Sequence, residues 1–283
     1  MFDRDEKMIR SLALADREIT TENPAFIMGI VNSTPDSFWS GSRGMIDRAL
    51  QLIDEGADIL DVGGESTRPG AEYVDEEEEI RRIVPLITEI RKHSTIPVSV
   101  DTRKSSVLKA ALDSGADMLN DVAALEDDEN MASLVARAKI PVILMHKRGI
   151  PKTMQKTTEY NDVFTEVDSY LESRVAYALE EGIADNKIIL DPGIGFGKDM
   201  AANCTLIRWC GSLCDGNYPV LMALSRKSII GELTGREDVC DRLWGTIAAN
   251  VLSVVNGASF LRVHDVKETA DAMAVLGGIG YNY

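Results

Sequence analysis

Cysteine is scarce: the chain has four in 283 residues, at positions 204, 210, 214 and 240. That excludes a disulfide-stapled mini-domain. With the acidic opening Met1-Phe2-Asp3-Arg4-Asp5-Glu6, which does not read as a secretory leader, it predicts a reducing, cytoplasmic setting. Long apolar runs are missing too. The longest are strand-length, whereas a membrane span needs roughly 18 residues, so no membrane association is expected. Positive charge is deficient, with 30 Lys and Arg against 46 Asp and Glu and a net charge of −16. Such a field repels nucleic-acid backbones, and an anionic small substrate would need a locally basic pocket. No linker or low-complexity stretch divides the chain. What remains is an ordinary globular composition, 45% hydrophobic and 27% charged, with enough apolar mass for a large core.

Eight short apolar runs punctuate the sequence: Phe26–Val31, Asp58–Val62, Pro97–Val100, Asp117–Leu119, Pro141–Met145, Lys187–Leu190, Pro219–Leu224 and Ser259–Val263. Segments of helical periodicity lie between them, such as Arg48–Glu55, Ile80–Lys92, Ser105–Asp113 and Phe164–Glu181. A recurring phrase leads from helix to strand: Glu55-Gly56-Ala57-Asp58, Ser114-Gly115-Ala116-Asp117 and Asn256-Gly257-Ala258-Ser259. Its glycine suits the left-handed residue that closes a helix. The apolar runs are unbroken rather than alternating, as in parallel strands buried on both faces. The pattern predicts an α/β fold, a single-domain (β/α)8 TIM barrel over 26–283, with 1–25 as an N-terminal extension packing on it. A doubly wound open sheet is the competitor. The acidic run Asp75-Glu76-Glu77-Glu78-Glu79 reads as a solvated helix start, capped by Asp75 with Glu78 completing a capping box, not as a metal site.

A barrel carries its chemistry on the loops leaving the C-terminal ends of the strands. Each run here delivers polar residues there: Asn32, the stretch Gly63 to Gly70, Asp101, Asn120-Asp121, His146, Asp191-Pro192-Gly193, Ser225 to Ser228, and Arg262-Val263-His264-Asp265. Carboxylates ending apolar strands are expensive to bury unpaired, which argues for a site. Asp101, Asn120, Asp191 and Lys227 together can read the edge of a flat heterocycle bearing an amino group, a ring N–H and a carbonyl. Arg262 and His264, at the end of the eighth strand, stand where barrels often hold phosphate, and Arg262 offers a planar fork. Asn32 could give Mg2+ a hard oxygen ligand. The residues by themselves therefore describe a heterocycle beside a diphosphate.

Several phrases, in order along the chain, resemble the dihydropteroate synthase family: Asn32 to Phe38, Asp61 to Gly70, Ser99 to Thr102, Asn120-Asp121, Met145-His146, Asp191 to Lys198, Ser225 to Ser228 and Arg262 to Val266. The resemblance runs from about Phe26 to the C-terminus. It implies condensation of a hydroxymethyl-dihydropterin diphosphate with p-aminobenzoate, with release of diphosphate, in folate biosynthesis. By motif, Asp101, Asn120, Met145, Asp191 and Lys227 resemble the pterin contacts. Asn32, Thr67, Arg262 and His264 resemble the diphosphate contacts, with Asn32 as the Mg2+ ligand. Phe38, Arg68, Pro69, Phe196 and Ser228 resemble the p-aminobenzoate walls, where sulfonamides compete. Asp101, Asp36, Lys227, Arg262 and His264 are the expected catalytic groups, and a homodimer through the outer helices is implied. An SN1-like path fits these parts, since loss of diphosphate leaves a cation that carboxylates can stabilise.

The chain departs from the family pattern in its first loop, Phe38-Trp39-Ser40-Gly41-Ser42-Arg43-Gly44, where many relatives carry Ser-Asp-Gly-Gly. Trp39 reads equally as a lid aromatic or as packing for that loop. Cys204, Cys210, Cys214 and Cys240 match no family motif and read as buried, unreactive thiols, with Cys210 and Cys214 on one helical face. His93 reads as solvated. Two alternatives use the same pterin set: a methyltetrahydrofolate:corrinoid methyltransferase, and a non-catalytic pterin-binding homologue.

Overall fold

The structure is a computed structural model that describes residues 10–32, 42–66, 71, 73–149, 154 and 158–281. An antiparallel hairpin comes first, β1 (Arg10–Ala13) and β2 (Glu18–Thr21). Eight parallel strands follow: β3 (Phe26–Asn32), β4 (Ile59–Gly63), β5 (Val98–Asp101), β6 (Met118–Asp121), β7 (Val142–Met145), β8 (Ile188–Asp191), β9 (Leu221–Met222) and β10 (Phe260–Val263). Helices α1 (Ser42–Asp54), α2 (Glu76–His93), α3 (Ser105–Asp113), α4 (Met131–Ala138), α5 (Val163–Glu180), α6 (Met200–Arg208), α7 (Ser228–Thr234), α8 (Leu243–Val255) and α9 (Val266–Gly278) occupy the connections.

Sequential strands pair as neighbours from β3 to β8, and β10 lies between β3 and β9. A parallel bridge, Leu190 to Val220, joins the last edges, so the sheet closes. This is the (β/α)8 barrel, not an open doubly wound sheet, in which the first and last strands would stay apart. β9 is the shortest strand, two residues where the sequence suggests six, because it lies at the seam and meets β8 only through that bridge. The repeated helix-to-strand phrase is a real device: Gly56, Gly115 and Gly257 sit at φ +99°, +103° and +104°, a region that glycine enters without steric cost.

The core has two layers. The larger lies between the outward faces of the strands and the helices, with Ile27, Leu60, Val62, Val100, Leu119, Leu144, Leu190 and Leu261 on the sheet side. The smaller fills the lumen with Phe26, Met28, Ile59, Met118, Ile143, Ile189, Leu221 and Phe260. Leu12 and Leu14, in and just after β1, join this inner cluster. Buried Lys187 ties the hairpin down by donating to the carbonyls of Ala13 and Leu14.

Several local expectations are corrected. Asp75 caps α2 by accepting from the Glu78 amide at 2.8 Å, but the Glu78 side chain turns to Arg81 and Arg82 instead of back to the cap. Nor is the acidic run wholly solvated: Glu79 is fully buried and paired with Lys104 Nζ at 2.5 Å, because that lysine, itself buried, needs a counter-charge. The stretch Cys210–Gly216 is a kinked 3-10 segment with Cys214 at φ +49°, so Cys210 and Cys214 share no helical face. Both are buried, with thiol pKa values pushed up by burial to about 11 and about 12. Cys240, by contrast, is exposed. His93 is exposed beside Glu89.

Candidate active site

Strand periodicity builds the site. Successive side chains on a strand alternate faces, so the residue two places after each lumen-filling apolar residue also faces the lumen, one level nearer the mouth. Thus Ile59 is followed by Asp61, Met118 by Asn120, Ile143 by Met145, Ile189 by Asp191 and Phe260 by Arg262. The apolar plug ends and a polar layer begins within one step of the same strands.

Arg262 is the centre of that layer. Its Nε donates to Asp61 Oδ2 at 2.6 Å and its Nη2 to Asp101 Oδ2 at 2.7 Å. Asn120 Nδ2 reaches Asp61 Oδ2 at 3.3 Å. Four strands, β4, β5, β6 and β10, are cross-linked by this one network. Burial opposes the Arg262 charge, but Asp61 and Asp101 together hold its pKa above the ordinary arginine value. Burial likewise raises the Asp101 carboxyl, against the pull of Arg262, with Asp61 adding repulsion. The sequence reading gives Arg262 to the diphosphate; two of its nitrogens are engaged by carboxylates, leaving Nη1 without a hydrogen-bond partner among the described residues.

Lys227 approaches from the loop after β9. Its Nζ donates to the Ile194 carbonyl at 2.5 Å and lies 4.9 Å from the centroid of the Phe196 ring. Burial lowers its pKa to about 8, with Asp191 resisting that fall. Asp191 is buried, which raises its own pKa, and its Oδ1 accepts from the Gly193 amide at 2.7 Å. Met145 is buried and pairs with Asp191 in the β7–β8 ladder. His264 and Ser225 tie the neighbouring loops together through an Nδ1 to Oγ contact of 3.0 Å. Arg226, at φ +58°, holds Asp265 with Nε and Nη2 at 2.9 and 2.5 Å, which sets the turn that presents Lys227. Asn32 is partly exposed at the end of β3, and Ser228 is exposed at the start of α7.

The structure therefore brings Asp101, Asn120, Asp191, Lys227 and Arg262 into one cup. Asp36, Phe38, Thr67, Arg68, Pro69 and Trp39 lie outside the described residues. Two participants escaped the sequence reading. Asp61 lies in a motif shared with the family and carries no role there; its signal is a carboxylate inside an otherwise apolar strand, the same one that marks Asp101. Lys198, which packs against His146, had no such signal. Among the described residues, no group of three or more His, Cys, Asp or Glu side chains is arranged to hold a metal.

A closed parallel barrel with a cup of buried carboxylates, an amide and two cations defines a class, that of barrels that bind a pterin-like heterocycle at the strand ends. The family model described as "Pterin binding enzyme" matches residues 28–264. A dihydropteroate synthase from Neisseria meningitidis serogroup B is 46% identical over 275 residues, covering 94% of this chain and 96% of that protein. The dihydropteroate synthase of Xanthomonas albilineans, solved with 4-aminobenzoic acid, superposes with a TM-score of 0.90 at 43% identity, over 97% of this chain and 99% of that one. It has also been solved in complex with 7,8-dihydropteroate, with a TM-score of 0.87 at 40% identity, over 96% and 99% of the two chains. The Yersinia pestis enzyme in a sulfonamide complex gives a TM-score of 0.90 at 35% identity, over 95% and 99%. The chain belongs to the pterin binding enzyme family, in its dihydropteroate synthase branch, whose members are transferases.

Proposed function

We infer that this chain condenses 6-hydroxymethyl-7,8-dihydropterin diphosphate with p-aminobenzoate to give 7,8-dihydropteroate and diphosphate. The observation that carries the reading is the Arg262 network, which joins two carboxylates and an amide from three other strands by hydrogen bonds at the strand ends. Asp101, Asn120 and Asp191 read the pterin edge, Met145 packs beneath it, and Lys227 binds a pterin acceptor. Arg262, through Nη1, and His264 meet the diphosphate at the lip, with Thr67 and Asn32. Phe196 and Ser228, with Phe38, Arg68 and Pro69, receive p-aminobenzoate, and a sulfonamide would compete there.

The chemistry follows from charge. The bond between the methylene carbon and the diphosphate oxygen breaks, and its electron pair leaves with the diphosphate. The cationic methylene left behind is conjugated with the pterin and is stabilised by the carboxylates of Asp101 and, on the first loop, Asp36. The aromatic amine then forms the new C–N bond and loses its proton to solvent afterwards, so the step needs no general base and no Ser or His nucleophile. Asn32 fits Mg2+ in one respect visible here: it offers a single hard oxygen at the mouth, which suits an ion that keeps its waters and takes most of its ligands from substrate phosphates. When bound there, Mg2+ would neutralise charge growing on the diphosphate.

A second copy of the chain is the expected partner. Trp244 and Leu252 of α8 are 76% and 50% exposed, and Val275 of α9 and Leu233 of α7 are 65% and 58% exposed. Apolar side chains of this size on adjoining helices favour a homodimer through that face. Four free thiols and the lack of any described helix long and apolar enough to cross a membrane support a cytoplasmic enzyme.

The deciding experiment is turnover. With Mg2+, the pterin diphosphate and p-aminobenzoate, the purified protein is expected to form dihydropteroate, detected by chromatography. Arg262→Ala should lower kcat/KM by at least about a hundredfold, since it removes a charged donor and leaves two buried carboxylates unpaired. Tight pterin binding without product would support the non-catalytic homologue instead.

A further inference from the structure

Lys198 has no part in the chemistry above, yet it is among the most enclosed cations in the molecule, 3% exposed. Its Nζ lies 2.8 Å from His146 Nδ1, 2.9 Å from the Gly193 carbonyl and 3.1 Å from the Phe196 carbonyl. No carboxylate pairs with it among the described residues. Burial lowers its pKa to about 7. Burial and the neighbouring Lys198 charge also push His146 down to about 3, so the imidazole is neutral and Nδ1 is free to accept. Asp191 favours the Lys198 charge without forming an ion pair with it, and a desolvated ammonium held only by neutral acceptors is a costly way to fix a loop. It is, however, well suited to joining three acceptors that point at one spot, because a point charge with three N–H groups can serve all of them.

Two of those acceptors belong to the loop 193–198, between β8 and α6, and the third to the residue just after β7. That loop supplies both residues that place Lys227: the Ile194 carbonyl, which accepts from its Nζ, and the Phe196 ring beneath it. The loop is also built to approach His146 closely. A Cβ at Gly193 would come within 1.8 Å of the His146 carbonyl oxygen. Asp101 and Asn120, by contrast, are strand residues held in the Arg262 network through Asp101 and Asp61; of the heterocycle set, Asp191 and Lys227 also touch this loop.

We propose that Lys198 is a positioning residue: its ammonium, shared by His146 Nδ1, Gly193 O and Phe196 O, sets the β8–α6 loop and so places the Phe196 ring against p-aminobenzoate. This rests on the reading of Phe196 as a p-aminobenzoate wall. Steady-state kinetics of the full-length protein test it, with each substrate varied in turn. Lys198→Met is expected to raise KM for p-aminobenzoate by about tenfold or more while KM for the pterin diphosphate changes much less. His146→Leu, which removes the acceptor, should do the same. His146→Asn, whose amide oxygen can take the place of Nδ1, should restore KM for p-aminobenzoate to near the wild-type value.

An unchanged KM for p-aminobenzoate in Lys198→Met overturns the proposal. So does an equal rise in both KM values, which marks a general structural loss, and so does a His146→Asn variant as impaired as His146→Leu. If Lys198→Met fails to fold, the two His146 variants decide the matter alone. Wild-type protein that makes no dihydropteroate sinks the functional reading itself, whereas active wild type with an indifferent Lys198 sinks only this inference.

Discussion

On the proposed reading of the site, one side chain, Lys227, carries both affinity and pH dependence. It is half-buried beside Asp191, Arg262 and Asp101, and its pKa falls to about 8 because desolvation outweighs the attraction of the two carboxylates. On that reading the cation is the form that binds the pterin. As pH rises through about 8 the proton leaves, and kcat/KM is expected to fall along an alkaline limb centred there. Lys227→Arg keeps the charge to far higher pH. In a pH profile of kcat/KM that limb should therefore move upward in the arginine variant, even if the overall rate drops. An alkaline limb that stays in place would assign it to another group.

At the scale of elements, the β8–α6 connection is tied down at several points. Asp191 Oδ1 accepts from Gly193 N, Asn203 Oδ1 accepts from Gly195 N at 2.8 Å, and Tyr160 Oη donates to Gly197 O at 3.0 Å. Gly193 and Gly197 sit at φ +67° and +66°. Gly193→Ala combines a left-handed φ with a backbone clash at 1.8 Å, so a loss of more than about 3 kcal/mol is expected by denaturant unfolding. Gly278→Ala makes the matching control. It lies at the end of α9 with nothing within 4 Å of the added methyl, and should be neutral or stabilising by about 0.5–1 kcal/mol. Equal effects of the two changes would argue against the close approach at Gly193.

At the scale of the whole molecule, the net charge of −16 and the anionic substrates pull in opposite directions. At the strand ends Arg262 and Lys227 stand beside Asp61, Asp101 and Asp191, so an anion at the mouth would be met by individual donors and not by a net positive field. The same scale governs assembly. Trp244 and Leu252 are eight residues apart on α8 and so lie on one face. Trp244→Glu combined with Leu252→Glu is expected to convert a dimer to monomers in sedimentation velocity. Turnover per chain should persist, since Asp101, Asn120, Asp191 and Arg262 lie on or at the ends of barrel strands and Trp244 and Leu252 on the outer helix α8. A wild-type protein that sediments as a monomer would remove the dimer from consideration.

Much of this molecule was legible before any coordinates. The eight apolar runs fall on the eight barrel strands, and the glycine phrases mark helix ends, because parallel strands and helix closure leave local, repeating patterns. Asp101, Asn120, Asp191, Lys227 and Arg262 were identifiable as polar residues at apolar strand ends. Pairing was not legible. That Arg262 would spend two nitrogens on Asp61 and Asp101, 201 and 161 positions away, depends on barrel closure and stagger. So does the burial of Glu79 with Lys104, and of Lys198 with His146. The sequence by itself determined the periodicities, and with them the barrel and the level at which polar residues enter its lumen. Only the tertiary structure decided which charges meet there, because a charge's partner is set by distance across the closed sheet and not by spacing along the chain.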